Sequence, residues 1–205
     1  KGFADLFPPD SQSMLFMEDT ARRVFGKYGY VELRIPILEK TELFCRSIGE
    51  ETDVVQKEMY TFPDRKGRSL TMRPEATAGV MRAAIEDKIF AREQMVKLFT
   101  FVTVFRYERP QKGRMRQFHQ IDVECLGPES SQTDAELILM LDEYLRELGI
   151  TQVAFEVNTL GCRECRPGYN QALKDFLLAL PQEELCEDCR RRVETNPLRV
   201  LDCKV

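Results

Sequence analysis

The chain contains no tryptophan, a single histidine (His119) and no run of 18 apolar residues among its 205 positions. The missing run excludes a membrane-spanning helix. The opening KGFADLFPPD has no basic leader with an apolar stretch behind it, so no intact secretory signal is expected. It starts on Lys1 rather than Met, as a chain trimmed from a longer one would. There is no excess of positive charge either: 30 Lys and Arg against 34 Asp and Glu leave a net −4. Any nucleic-acid contact must therefore come from a local basic patch. Internal repeats and low-complexity tracts are absent, and 43% hydrophobic with 31% charged residues is ordinary for a globular chain. That composition excludes collagen-like, disordered and coiled-coil classes.

Cysteine is plentiful by contrast, with seven residues. Without a secretory leader they predict a reducing, cytoplasmic setting, with thiols free or on metal. Cys45 and Cys125 stand alone, whereas Cys162, Cys165, Cys186, Cys189 and Cys203 crowd the end of the chain. This shift predicts a boundary near 158–166 and two parts, 1–160 and 161–205.

Periodicity predicts a helix over 11–28, from Met14, Met17, Ala21, Val24, Phe25 and Tyr28, with Asp10 or Ser11 as cap and Gly29 as stop. Alternation predicts a strand over 30–35 ending at Pro36, then a short helix over 41–48. EMYTF and SLTMR around PDRKGR form a hairpin pattern. A helix over 75–88 precedes two long strands, 96–108 and 117–126. Further expectations are a helix over 133–148 with Thr133 as cap and Glu136 in a capping box, a strand over 152–159, and helices over 168–180 and 184–195. Hairpin-linked strands with helices between them predict an α+β fold whose antiparallel sheet is flanked by helices.

Two segments carry chemistry. In VTVFRYERPQKGRMRQFHQIDVE, one strand ends in Arg106 and Glu108, a loop carries Arg109, Lys112, Arg114 and Arg116, and a strand returns with Phe118, Gln120 and Glu124. Alternation puts Phe118, Gln120 and Glu124 on one face and His119, Ile121 and Val123 on the other. His119 is expected in the core or behind the site, with Phe105 and Tyr107 also in the core. Guanidinium groups on a hairpin loop can clamp phosphate oxygens bidentately, and a neighbouring Gln and Glu suit a zwitterionic ligand. The plain alternative is a solvated basic hairpin. In LTMRPEATAG, Glu75 and Thr77 open a helix after Pro74. They could receive an ammonium group, or Glu75 could simply complement the helix dipole.

Taken in order, the Ile-Pro strand with its ELF helix, RPEAT, and FRYERPQKGRMRQFHQIDVE closely resemble the catalytic core of histidyl-tRNA synthetases, class II aminoacyl-tRNA synthetases. The resemblance runs from KGFADLFP to NPLRVLDCK. It implies a catalytic core over 1–160 and the start of a helical insertion domain over 161–205. It implies adenylation of L-histidine by ATP with Mg²⁺ and transfer to tRNA(His), with Arg106 as the catalytic residue bridging α-phosphate and carboxylate. Glu108, Arg114 and Phe118 would join Arg106 in binding ATP. Glu75, Ala76, Thr77, Gln120 and Glu124 would hold histidine, the last reading the imidazole N–H. Pro36 falls at the motif 1 proline, implying a homodimer with the 35–49 segment, including Leu38, Leu43 and Phe44, near the two-fold. A GxGxxxR-type third motif and an RGLDYY-like segment do not occur in residues 1–205, so this stretch alone is expected to be inactive.

Two rivals stay open. A histidine-binding regulatory subunit of ATP phosphoribosyltransferase keeps the fold, although ERPQKGRMRQFHQ argues for a working ATP clamp. A zinc-ribbon module would use Cys162-x-x-Cys165 and Cys186-x-x-Cys189, whose spacing fits Zn²⁺, with Cys203 as a spare. Against that module, a helix of about 13 residues and ~20 Å between the pairs would hold them apart.

Overall fold

A computed structural model of the chain describes all residues except 50, 51, 53, 110, 112, 128, 160, 163, 204 and 205, and the Gln182 side chain. Lys112, counted above with the loop cations, therefore lies outside the described residues. The chain divides into two compact units, Lys1–Val153 and Ala154–Val205.

In chain order the first unit contains α1 (Asp10–Lys27), β1 (Val31–Glu32), β2 (Leu38–Lys40), α2 (Thr41–Ile48), β3 (Tyr60–Pro63), β4 (Ser69–Met72), α3 (Thr77–Glu86), β5 (Val96–Phe105), β6 (Gln117–Leu126) and α4 (Ser131–Glu147). The expected α+β class, rich in antiparallel pairing with helices packed on it, is what forms. One sheet has the order β1-β5-β6 and the other β2-β4-β3. The β5–β6 ladder pairs ten residues a side, from Val96↔Leu126 to Phe105↔Gln117.

The periodic stripe of α1 buries Ala21, Val24 and Phe25 against Tyr30, Phe99 of β5, and Met140 and Tyr144 of α4. Phe25 meets Phe99 edge-on at 5.3 Å, and Phe99 meets Phe101 at 5.5 Å. Such aromatic pairs add to the burial itself. Neither Asp10 nor Ser11 caps α1. The helix starts from Pro9 with no side-chain cap, so Asp10 sits inside the first turn, where its charge complements the dipole. Likewise Ser130, not Thr133, caps α4, its hydroxyl accepting from Gln132 N–H at 3.2 Å. That helix begins two residues before the expected start.

The strand expected over 30–35 pairs only at Val31 and Glu32, parallel to β5, after which Leu33 N–H donates to Phe99 O at 2.8 Å. The chain crosses instead to the second sheet, where β2 pairs antiparallel with β4, a strand too short to show alternation. The β3–β4 hairpin forms as expected, its turn tied by Asp64 Oδ1 to the N–H groups of Lys66 and Arg68. The helix over 41–48 also forms, but Phe44 is fully buried inside the unit rather than offered to a partner. The expected strand over 152–159 has no ladder partner among the described residues, and Val153, Phe155 and Val157 are exposed.

The second unit holds α5 (Arg166–Ala179), α6 (Glu187–Thr195) and 3-10 turns at Gln182–Glu184 and Pro197–Val200. Leu177, Cys189, Val193 and Val200 make its core, with Leu173, Leu180 and Leu185 packed around them.

Candidate active site

The site grows from the inner face of the β5–β6 ladder. Side chains opposite one another in register share a face, so this face runs Val104/Phe118, Val102/Gln120, Thr100/Asp122, Leu98/Glu124. Its Phe118 end is covered by Ala76, which packs with Val102, Val104, Ile35 and Phe118. Helix α3 can come this close because residue 79 is glycine; a Cβ there would stand 2.8 Å from Ile35 Cδ1.

Arg73 braces the RPEAT segment. It is buried, with Nε donating to Thr103 O at 2.8 Å and Nη1 to Ile35 O at 2.8 Å and Pro36 O at 3.2 Å. Burial lowers its pKa below the usual arginine value, yet guanidinium stays charged, and three carbonyls are the compensation for its lost water. Its backbone is clamped too: Arg73 N–H donates to Ile37 O and Phe105 N–H to Arg73 O. Its role was not expected from the sequence, although an arginine directly between a strand and Pro74 was a signal.

This brace brings the two segments together. Arg106 Nε donates to Pro74 O at 2.8 Å, and its guanidinium carbon lies 5.4 Å from the centre of the Phe118 ring. Glu75 follows Pro74, and its Oε1 accepts from Ala78 N–H at 3.0 Å, so one carboxylate oxygen does cap the start of α3. Ala76 is buried, while Thr77 is exposed at the helix start.

Asp122 completes the acidic face. It lies between Gln120 and Glu124 in the alternation and is the residue missed above, though the same period-2 rule contained it. Its Oδ2 is buried without a hydrogen-bond partner among the described residues, as is the hydroxyl of Thr100 opposite. Burial first, then the charges of Glu124 and Glu75, push the Asp122 carboxyl up to about 6. Three carboxylates thus lie close enough to act on one another, with two unsatisfied polar atoms among them. A cationic or zwitterionic guest that donates hydrogen bonds is the chemistry such a group favours.

Beyond the ladder the chain leaves the sheet. The strand expected to reach Glu108 stops at Phe105, and Tyr107 N–H donates instead to Glu58 O at 2.7 Å. In the loop, Arg114 Nη1 pairs with Glu108 Oε2 at 2.7 Å, and Arg116 Nε reaches Glu108 O at 3.2 Å. Tyr107 is exposed rather than in the core, with the Arg116 guanidinium 4.1 Å above its ring. His119 faces away from the carboxylates, as alternation requires, but it too is exposed, its Nδ1 3.3 Å from Thr103 Oγ1 at the sheet's rim. Phe105 is buried as expected.

The arrangement therefore offers one arginine tied against an aromatic ring, a second on an exposed loop, and three neighbouring carboxylates, Glu75, Asp122 and Glu124. Known proteins share it. A histidyl-tRNA synthetase family profile matches residues 2–164. The histidine–tRNA ligase of Oleidesulfovibrio alaskensis is 70% identical over 205 residues, covering 100% of this chain and 49% of that protein. That of Geobacter sulfurreducens is 55% identical over 204 residues, again covering 100% of this chain and 49% of that protein. The chain thus spans about half the length of the curated relatives it matches. Among solved structures, apo histidyl-tRNA synthetase from S. aureus superposes with a TM-score of 0.71 at 34% identity, covering 98% of this chain and 47% of that one. A Bacillus halodurans protein described as an ATP phosphoribosyltransferase regulatory subunit/histidyl-tRNA synthetase shares the fold, with a TM-score of 0.68 at 20% identity and coverage of 98% and 49%. With the profile match spanning most of the chain and the relatives all of it, the chain belongs to the histidyl-tRNA synthetase family.

Proposed function

We propose that this chain carries the ATP- and histidine-binding half of a cytoplasmic histidine–tRNA ligase that works as a homodimer. The observation that carries the reading is Arg106, held beside Phe118 by the carbonyl of Pro74, the residue before Glu75. From that position its remaining N–H groups, which have no partner among the described residues, can reach both a phosphate and a carboxylate.

ATP enters with its Mg²⁺ as substrate. Phe118 offers its ring to the adenine and Arg114 its guanidinium to the terminal phosphate, which requires release of its bond to Glu108. Glu108 then faces the adenine side. Glu75, Thr77 and Gln120, with the backbone of Ala76, receive the α-ammonium of histidine, and Glu124 accepts from the imidazole. A histidine carboxylate oxygen attacks the α-phosphorus in line, the bond to the β-phosphate oxygen breaks, and pyrophosphate leaves. The chain's residues contribute positioning and charge neutralisation. The acyl group then passes to the terminal ribose of tRNA(His).

For the homodimer, exposed Ile37 and Leu38 beside Pro36 are the supporting surface, with Phe44 withdrawn from it. Sedimentation of a full-length protein bearing this chain should give a dimer at micromolar concentration; a stable monomer would remove the proposal.

The decisive experiment is histidine-dependent ATP–pyrophosphate exchange by that full-length protein and by its Arg106→Gln variant. Loss of the arginine should cost about 10²–10³ in rate, the range for one preorganised charge contact. Histidine binding with no exchange would move the chain to the regulatory relatives. Residues 1–205 alone, lacking the third motif, should exchange near background.

A further inference from the structure

The second unit contains a thiol cluster that the proposed reaction does not use. Cys186, Cys189 and Cys203 bring their sulfurs within 4.8 Å of one another, the one such group of potential metal ligands among the described residues. We propose that these three cysteines hold a zinc ion as thiolates, with the fourth tetrahedral position open to water.

Distances support it. Thiolates about 2.3 Å from a tetrahedral zinc stand about 3.8 Å apart, and the Cys186 and Cys203 sulfurs are 3.8 Å apart. The backbone is also arranged for thiolate. Cys186 is the N-cap of α6, and its sulfur accepts from Cys189 N–H at 3.4 Å. Burial grades across the cluster: Cys189 is buried in the unit's core beside Val193 and Leu177, while Cys186 and Cys203 are half-buried. An ion seated there would be anchored at its inner side and reachable from its outer one. The unit has a reason to need it, because about 50 residues with four core side chains is the size at which small domains recruit metals as staples.

The grouping differs from the spacing-based expectation. Cys203 joins Cys186 and Cys189, and Cys162 and Cys165 stay out. That pair is exposed, with its two sulfurs 3.3 Å apart at the opposite end of α5 from Leu177.

The test titrates zinc into the reduced, metal-stripped 205-residue chain against a chromophoric chelator, with cobalt as a spectroscopic substitute. One ion per chain is expected, with thiolate-to-cobalt charge transfer and tetrahedral visible bands. Cys186→Ser or Cys203→Ser should weaken zinc by about 100-fold or more, above the range for loss of an outer-shell partner. The double variant Cys162→Ser/Cys165→Ser should bind as the parent does. Should the single variants fail to fold, peptide mapping of the unaltered chain serves instead: zinc should protect Cys186, Cys189 and Cys203 from alkylation and leave Cys162 and Cys165 reactive. Sub-stoichiometric zinc, alkylation of the three that ignores zinc, or loss of binding in the double variant would each overturn the proposal.

Discussion

The two faces of the β5–β6 ladder are made by the same twenty residues and have opposite characters. The outer face is aromatic and aliphatic: Phe99, Phe101, Ile121 and Val123 pack under α1 and α4, and charge stays at the rim, where Arg22 lies over the Phe101 ring. The inner face is apolar at both ends, at Val104 and Phe118 under Ala76 and at Val96, Leu98 and Leu126 under Val80, and turns polar between them at Gln120, Thr100, Asp122 and Glu124. One face is closed by its own chain. The other keeps a buried carboxylate oxygen and a hydroxyl without partners among the described residues, a cost of about 1–3 kcal/mol for each such group. Stability is thus concentrated on one side of a sheet and partly given up on the other, the side of the candidate site.

The largest effect should come from breaking the closed face. Phe99→Ala removes the ring that Phe25 and Phe101 pack against, and should destabilise the chain by about 3–5 kcal/mol. With no tryptophan to report, urea unfolding is best followed by far-UV circular dichroism. A loss below about 1 kcal/mol would mean the face repacks and the contrast is weaker than drawn.

On the open face, Glu124→Ala in a full-length protein should weaken histidine by about 10–100-fold, the equivalent of ~1–3 kcal/mol for one unpaired buried group, and leave ATP nearly unaffected. Calorimetry with each ligand separates the two. Equal losses would remove Glu124 from the histidine pocket.

Asp122→Asn sharpens the comparison differently, because it should stabilise. The Asp122 carboxyl is raised to about 6 from an ordinary 3.8, so the folded chain holds that proton more tightly than the unfolded one. Its contribution is complete below about pH 4 and is lost as pH rises through 6. At pH 7 the amide should therefore be the more stable form by about 1–2 kcal/mol, the remainder of the shift being screened by solvent. It should also flatten the slope of stability between pH 4 and 6. An unchanged slope would show that another group titrates there.

The smallest effect belongs to the outer rim. Arg23 and Glu147 pair at 3.1 Å between α1 and α4 with both side chains exposed, so Glu147→Gln should cost less than about 0.5 kcal/mol in the same unfolding assay. A larger value would make the rim part of what closes that face.

Much of this was legible in residue order. Helices α1 and α4 and strands β5 and β6 each run through several periods, and repetition makes the pattern unambiguous. β1 and β2, at two and three residues, are too short for a period-2 pattern to repeat and exist because β5 and β4 lie beside them. The site divides in the same way. Arg106, Glu108, Arg114, Phe118, Gln120 and Glu124 lie on one continuous segment, so alternation and loop chemistry sufficed to group them. Asp122 obeyed the same alternation and was overlooked; what marks it is burial beside Glu75, forty-seven positions away in the chain. Tyr107 and His119 were expected inside because alternation turns them away from the ligand face, but Tyr107 lies past the end of the ladder and His119 is exposed at its rim.

Sequence by itself determined the class of the fold, the family and the segment that carries the chemistry, because these rest on local period and on motifs whose residues are neighbours. Tertiary structure alone decided which distant groups come together: Pro74 O with Arg106, Glu75 near enough to help raise the Asp122 carboxyl, and Cys203 with Cys186 and Cys189. The reason is physical. A periodic pattern records which side of an element faces the core, whereas a contact between elements depends on how those cores pack, and packing is a property of the whole unit rather than of any one stretch of it.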